Sequence, residues 1–358
     1  QRALSAMAAT DAALEPVYNH FRGIKLADIP HSKAKVVHMA GTTPIGQALE
    51  LLKGQNIHGA PVTNEEFRVV GFVDYMDIIA YGLSKGSGSA AFATAYKDPV
   101  MNAVEFSGRD PFVLTAGQTS ASMAVRVFAE GVPRIPSTAE DGSITAVITQ
   151  RDVLRHLVTV SGTPELQRCA EASVADLNLS PDVVLGMPHT STALQCVTEM
   201  ISKKLHAVPI TDAEGKLVGA MDASCLKQFD SSGASLDMPV LDYLAAAAPQ
   251  ALTPDTLVPS SHFLECIKKI SDKGTHRAWV VDAAEKPIGV ISGTVCLPTA
   301  RTTCRTTSHT TYHTPHHHTN HIQHPTPTSP ATTINYQPQR MSSHCLGCRI
   351  FSSRSHTG

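Results

Sequence analysis

The feature that most constrains this chain is a pattern that occurs four times. The stretches are "NIHGAPVTNEEFRVVGFVDYMDIIAYGL" from Asn56, "GVPRIPSTAEDGSITAVITQRDVLRHLV" from Gly131, "KLHAVPITDAEGKLVGAMDASCLKQF" from Lys204 and "GTHRAWVVDAAEKPIGVISGTV" from Gly274. They recur at intervals of roughly 70 residues, longer than the 20–50-residue period of a solenoid. Each copy therefore has to be close to a small domain in its own right.

The element pattern repeats with the residues. An amphipathic helix leads, with Ile45, Ala48, Leu49 and Leu52 on one face after Thr42 or Thr43 in the first copy. Leu194, Val197, Met200 and Ile201 follow Thr190 to Thr192 in the third, and Phe263, Leu264, Ile267 and Ile270 follow Ser260 or Ser261 in the fourth. The Ser and Thr residues are expected as caps, and Gly274 as a left-handed helix stop. A short apolar strand ("APVT", "RIPS", "AVPIT", "AWVVD"), a polar turn and a second strand ("VVGFV", "ITAVIT", "LVGAM", "PIGVIS") come next. A closing helix follows in the first three copies. An earlier strand precedes each unit: "KVVHM", "PFVLT", "DVVLGM" and, more weakly, "ALTPDTLV". "SKGSGSA" from Ser84 reads as a flexible linker.

Helices laid on a small sheet make a mixed α/β (α+β) unit. About 60 residues bury too little apolar surface to stand comfortably alone, so the units are expected to pair and cover one another's open faces. The reading is four tandem repeats forming two paired modules: residues 25–85, 98–160, 174–230 and 238–297, the last lacking its closing helix. With 42% hydrophobic residues and only 5% aromatics, the cores must be filled by Ala, Val, Leu and Ile. A net charge of -2 argues against a general basic field for nucleic acid. No apolar run is long enough to span a membrane, and the N-terminus lacks a signal-peptide core. It also lacks an initiating Met, so a missing piece is expected there. Eight scattered Cys, most of them in apolar segments, read as buried thiols in a reducing compartment. No GxxxxGK[ST], HExxH, GxSxG or kinase catalytic set occurs, and the chain reads as non-catalytic.

These repeats resemble the CBS domain, the cystathionine-β-synthase-type module that works in tandem pairs. Four copies resemble the γ regulatory subunit of AMP-activated and SNF1-type protein kinases, over roughly residues 25–297. That resemblance implies adenine nucleotides (AMP, ADP or ATP) in clefts between paired repeats, no other cofactor, and kinase catalytic and scaffold subunits as partners. It implies no nucleic acid and no membrane, and a cytoplasmic location, with the nucleus as a second compartment. The alternative is an interaction scaffold whose repeats hold partners and bind no nucleotide.

The family's ligand motif is Ser/Thr-x-x-Asp where the last strand meets the closing helix. Asp can accept both ribose hydroxyls, while the hydroxyl residue and free helix N–H groups reach phosphate. The second unit has the full pattern, Thr149 and Asp152, which is also a capping box. The first has Asp74 and Asp77; Asp77 suits ribose, while Asp74 suits an N-cap and would repel phosphate unless a cation intervened. The third has Asp222 and Cys225 and reads as degenerate; the fourth has Ser292, then Val295 in place of the Asp. Ribose is thus assigned to Asp152 and Asp77. Phosphate is assigned to Thr149 and Ser292 and to the basic residues ahead of the hairpins, Arg134, His276 and Arg277. The equivalent His58 and His206 complete the set, His206 being read as solvated.

From about Leu297 the chain turns rich in Thr, His and Pro, with no period, and residues 298–358 read as a low-complexity, disordered tail. His316 to His318 and the group His344, Cys345, Cys348 offer a weak zinc signal, and no specific metal site is assigned. Loss of the pattern at one residue points to a frameshift, a retained intron or a splice form. Any of these would leave Trp279, Val281 and Ile291 at risk of exposure.

Overall fold

The computed structural model describes residues 13–30, 36–86, 91–108, 115–116, 119–139, 141, 143–177, 179, 184–229, 234–272 and 276–297. The tail, Gly274, residues 87–90 of the Gly/Ser stretch and residues 111–114 of "PFVLT" lie outside these. The described residues include four three-stranded sheets of one topology. They are β1 (Met39–Ala40), β2 (Gly59–Thr63) and β3 (Val69–Asp74); β4 (Thr115–Ala116), β5 (Arg134–Thr138) and β6 (Ile144–Thr149); β7 (Met187–Pro188), β8 (Ala207–Thr211) and β9 (Leu217–Asp222); and β10 (Thr256–Leu257), β11 (Arg277–Val281) and β12 (Pro287–Ser292). In each sheet a two-residue strand pairs parallel with the first strand of an antiparallel hairpin. The hairpin register slips at the same place in all four copies, at Val62/Thr63, Ser137/Thr138, Ile210/Thr211 and Val280/Val281.

Local chemistry explains the recurrence. Asn64, Asp212 and Asp282 each open a hairpin turn by accepting backbone N–H bonds, as in Lys216 N–H to Asp212 Oδ1 at 2.7 Å and Lys286 N–H to Asp282 Oδ1 at 2.9 Å. The turns then need a left-handed residue, supplied by Phe67 (φ 60°), Gly215 (φ 83°) and Glu285 (φ 61°). The leading helices end the same way, through Asn56, Gly131 and Lys204 at positive φ. Thr192 caps the third leading helix in a full capping box with Gln195. Thr42 and Thr43 do not cap the first, where Pro44 holds the cap position. Ser261 turns back instead, its hydroxyl accepting the Val258 N–H at 3.3 Å.

Two apolar cores hold the units, and they do not follow chain order. One joins the first and third units through Ile45, Leu52, Val62, Ile79, Val197, Met200, Ile210 and Met221. The other joins the second and fourth through Val125, Phe128, Ile148, Leu157, Phe263, Ile267, Val280 and Ile291. In the second core the closing helix Gln150–Val160 packs on the leading helix Phe263–Asp272.

The segments between units are exchanged. Residues 25–30, grouped by sequence with the first unit, pack on the second: Leu26 and Ile29 enter the second core, Lys25 bridges Ser120, and Leu26 N–H donates to Thr119 O at 2.8 Å. Val100 and Ala103, grouped by sequence with the second unit, enter the first core, with Pro44 bridged to Pro99. The same exchange links the other two units, through Ser173 with His262 and Thr192 with Pro239.

Two closing elements differ from expectation. The third is the short 3-10 helix Ala223–Gln228. In the fourth, Val295 and Cys296 N–H both donate to Ser292 O, at 3.1 and 3.3 Å, making one tight turn. That turn places Cys296 and Leu297 in the second core with Ile291, and Trp279 and Val281 are likewise buried rather than exposed.

Candidate functional site

The first strand of each hairpin starts opposite the end of the second, so Gly59 faces Asp74, Arg134 faces Thr149, Ala207 faces Asp222, and Arg277 faces Ser292. The motif positions therefore stand at one end of each sheet. The fold turns these ends toward one another. Arg134 of the second unit reaches the first, its Nη2 3.5 Å from Asp74 Oδ2 and its guanidinium 4.6 Å from the centre of the Phe72 ring. Arg277 of the fourth unit reaches the third in the same way, with Nε 3.6 Å from Asp222 Oδ2. Gly59 leaves the room Arg134 needs: a Cβ there would lie 2.7 Å from Arg134 Nη1.

The four units share this centre. The rings of His58 (first unit) and His276 (fourth) meet edge to face, 5.2 Å apart. Burial, then His276, Lys227 and Arg134, push His58 down to about 3, against the pull of Asp222. Burial likewise pushes His276 down to about 4, with Arg277, Arg134 and Arg151 adding to it and Asp222 opposing. Both imidazoles are neutral at pH 7. Burial opposes ionisation of Asp222, but Arg277, the Ser224 hydroxyl, His276 and His58 outweigh it and hold the carboxyl below its usual range. The permanent charges here are thus Arg134, Arg151, Lys227 and Arg277 against Asp74 and Asp222.

The two ribose candidates are buried and already hydrogen-bonded. Asp152 Oδ2 accepts the Thr149 N–H at 2.9 Å and the Thr149 hydroxyl at 2.7 Å, completing a capping box. Asp77 forms the matching box with Asp74 and also accepts the Ser107 N–H at 3.0 Å and the Ser107 hydroxyl at 2.6 Å, both on Oδ1. Ser107 thus presents two donors to the carboxyl at which ribose hydroxyls are expected. Burial and the adjacent Asp74 raise the Asp77 carboxyl, against the bonds from Ser107. Asp74 is the structural N-cap expected of it. The Cys225 sulfur lies in the third copy against Asp222, and burial pushes its thiol up.

Of the assigned phosphate residues, the fold brings Arg134, His276 and Arg277 together at the centre. Thr149 serves as a helix cap and Ser292 ends β12 beside Arg277. Arg151, Lys227 and Ser107 were missed by sequence reasoning, because each becomes important through a unit distant in the chain. Gln150 is another such residue. Its amide donates to Phe128 O, Val132 O and Thr294 Oγ1 at 3.0, 3.1 and 2.9 Å, and it joins the second and fourth units. His206 is half-buried. Among the described residues no cluster of metal-ligating side chains occurs, and no helix is long and apolar enough to cross a membrane.

Residues 26–84 match the CBS domain model. A small sheet flanked by helices, repeated and paired through polar seams, is the class of protein that this fold and site define. Among known proteins the chain is similar to the SNF1-related protein kinase regulatory subunit gamma-like PV42b of Arabidopsis thaliana, at 20% identity across 80% of this chain and 96% of that protein. It is 23% identical to the 5'-AMP-activated protein kinase subunit gamma of Dictyostelium discoideum, across 76% of this chain and 51% of that longer relative. The crystal structure of protein MJ1225 from Methanocaldococcus jannaschii shares the fold, with a TM-score of 0.61 at 16% identity, covering 76% of this chain and 98% of that one. Residues 26–84 are thus similar to a CBS domain, and the chain resembles kinase γ-type regulatory subunits over most of its described length.

Proposed function

We propose that the chain is a non-catalytic regulatory protein of the kinase γ type, which senses AMP, ADP and ATP in the seams between its units. The observation that carries this reading is the convergence of Arg134, Arg151, Lys227 and Arg277, from the second, third and fourth units, around two neutral buried histidines. A cationic centre shared by separate units can rank nucleotides by phosphate charge, and a ligand that spans a seam favours one arrangement of the units over another. Kinase catalytic and scaffold subunits are the partners this reading gives. The similarity to γ-type subunits supports it.

Asp152 is the ribose residue of this reading, and Asp77 becomes one where Ser107 gives way. Calorimetry with AMP and ATP tests it: Asp152→Ala is expected to weaken binding at least tenfold and to lower stability by about 1 kcal/mol through loss of the N3 half of the capping box. Unchanged affinity with lowered stability would leave Asp152 only its capping role. One set of contacts favours the scaffold reading instead: Asp77, Asp152 and both central arginines have partners within the chain. Absence of binding heat with AMP and with ATP, together with retained capture of a kinase subunit, would establish that alternative.

A further inference from the structure

The two halves of the centre carry the same unusual device. At the cap position of the first and third units stands Asp, where the second and fourth have Thr149 and Ser292. In both Asp residues the two oxygens divide their work. Asp74 Oδ1 accepts the Asp77 N–H at 3.0 Å, and Asp222 Oδ1 accepts the Ser224 N–H at 2.7 Å and the Ser224 hydroxyl. The other oxygen, Oδ2, faces an arginine from the next unit, at 3.5 Å from Arg134 and 3.6 Å from Arg277. These separations exceed the 2.7–2.9 Å typical of a tight charge-assisted bond. Capping a helix needs only one acceptor, and Thr149 shows that a neutral hydroxyl does it in this fold. The second oxygen and its charge are therefore surplus to the cap.

We propose that Asp74 and Asp222 are built-in counter-anions that face Arg134 and Arg277 and compete with ligand phosphate for them. This rests on the nucleotide reading above and adds the basis of its selectivity. A ligand phosphate must either displace a carboxylate from its arginine or accept that negative charge beside it. A single phosphate brings little to offset the repulsion, whereas a di- or triphosphate brings more charge against the same carboxylate. The pairs thus set a threshold of phosphate charge.

The test uses the full chain and three variants, Asp74→Asn, Asp222→Asn and the double. Asn is as good an N-cap as Asp, so folding is preserved, and melting curves check it. Calorimetry is run with AMP, ATP and inorganic pyrophosphate, which has phosphate charge but no nucleoside. Each single variant is expected to bind ATP and pyrophosphate about tenfold tighter, as removal of one nearby negative charge requires, with a still larger gain in the double variant. Equal or weaker binding by folded variants would overturn the proposal, as would pyrophosphate binding to none of the four proteins. The two readings fail separately. If the variants gain pyrophosphate but no protein binds AMP or ATP, the counter-anion role stands and nucleotide sensing falls. If the parent binds nucleotide and the variants do not improve, the reverse holds.

Discussion

At the scale of the residue, the central histidines report how burial and charge combine. His58 and His276 are held at about 3 and about 4, below the 6.5 of the unfolded chain. As pH falls below about 6.5 the unfolded chain takes up protons that these two rings refuse, so stability drops toward pH 4 and is complete only above pH 6.5. Asp77 acts in the opposite sense, since a raised carboxyl costs stability as pH rises through the values between its unfolded and folded pKa. A difference measurement separates the two. The double variant His58→Gln, His276→Gln is expected to lose less melting temperature between pH 7 and pH 5 than the parent, Asp77 being common to both. A parallel pair of curves would mean that the two rings titrate normally in the fold.

At the scale of the element, the hairpin turn shows how one local rule is met unevenly across four copies. Gly215 takes the left-handed position without steric cost, whereas the first unit places the exposed ring of Phe67 there at φ 60°. Phe67→Gly is expected to stabilise the protein by up to about 1 kcal/mol, since the ring makes little contact and its Cβ strains the turn. Thermal unfolding reads the change, and a loss of stability would show that the ring packs in a way its exposure conceals. Helices and hairpins were legible from the sequence at this scale because their signals are local: apolar periodicity and polar turns. The fourth closing element was not. The pattern stops at Val295, but Cys296 and Leu297 are two ordinary apolar residues whose value depends on a core built by another unit.

At the scale of the whole molecule, exchange of segments makes the units interdependent. The N-terminal helix Glu15–Arg22 precedes the first unit and Leu26 is grouped with it by sequence, yet both fill the core of the second and fourth. Phe21 lies wholly buried there, so Phe21→Ala should cost about 3–5 kcal/mol. Amide exchange should show protection lost first in Ala121–Ala129 and Gln150–Val160, with Ile45–Gly54 less affected. Loss confined to the first unit would contradict the exchange. The binding centre follows the same logic. Its candidates Arg134, His276 and Arg277 could be named from their equivalent positions ahead of a strand, but Arg151, Lys227 and Ser107 could not. Nothing near them in the chain distinguishes them from ordinary polar residues.

Sequence alone determined the repeated unit, its helix and hairpin order, and the positions where motif residues stand, because each depends on contacts among residues close in the chain. Only the tertiary structure decided that the first unit shares a core with the third and the second with the fourth, and that each spare carboxylate oxygen meets an arginine from the following unit. Those outcomes depend on the fit between surfaces distant in sequence, and on charges whose strength is set by burial that no short segment can produce by itself.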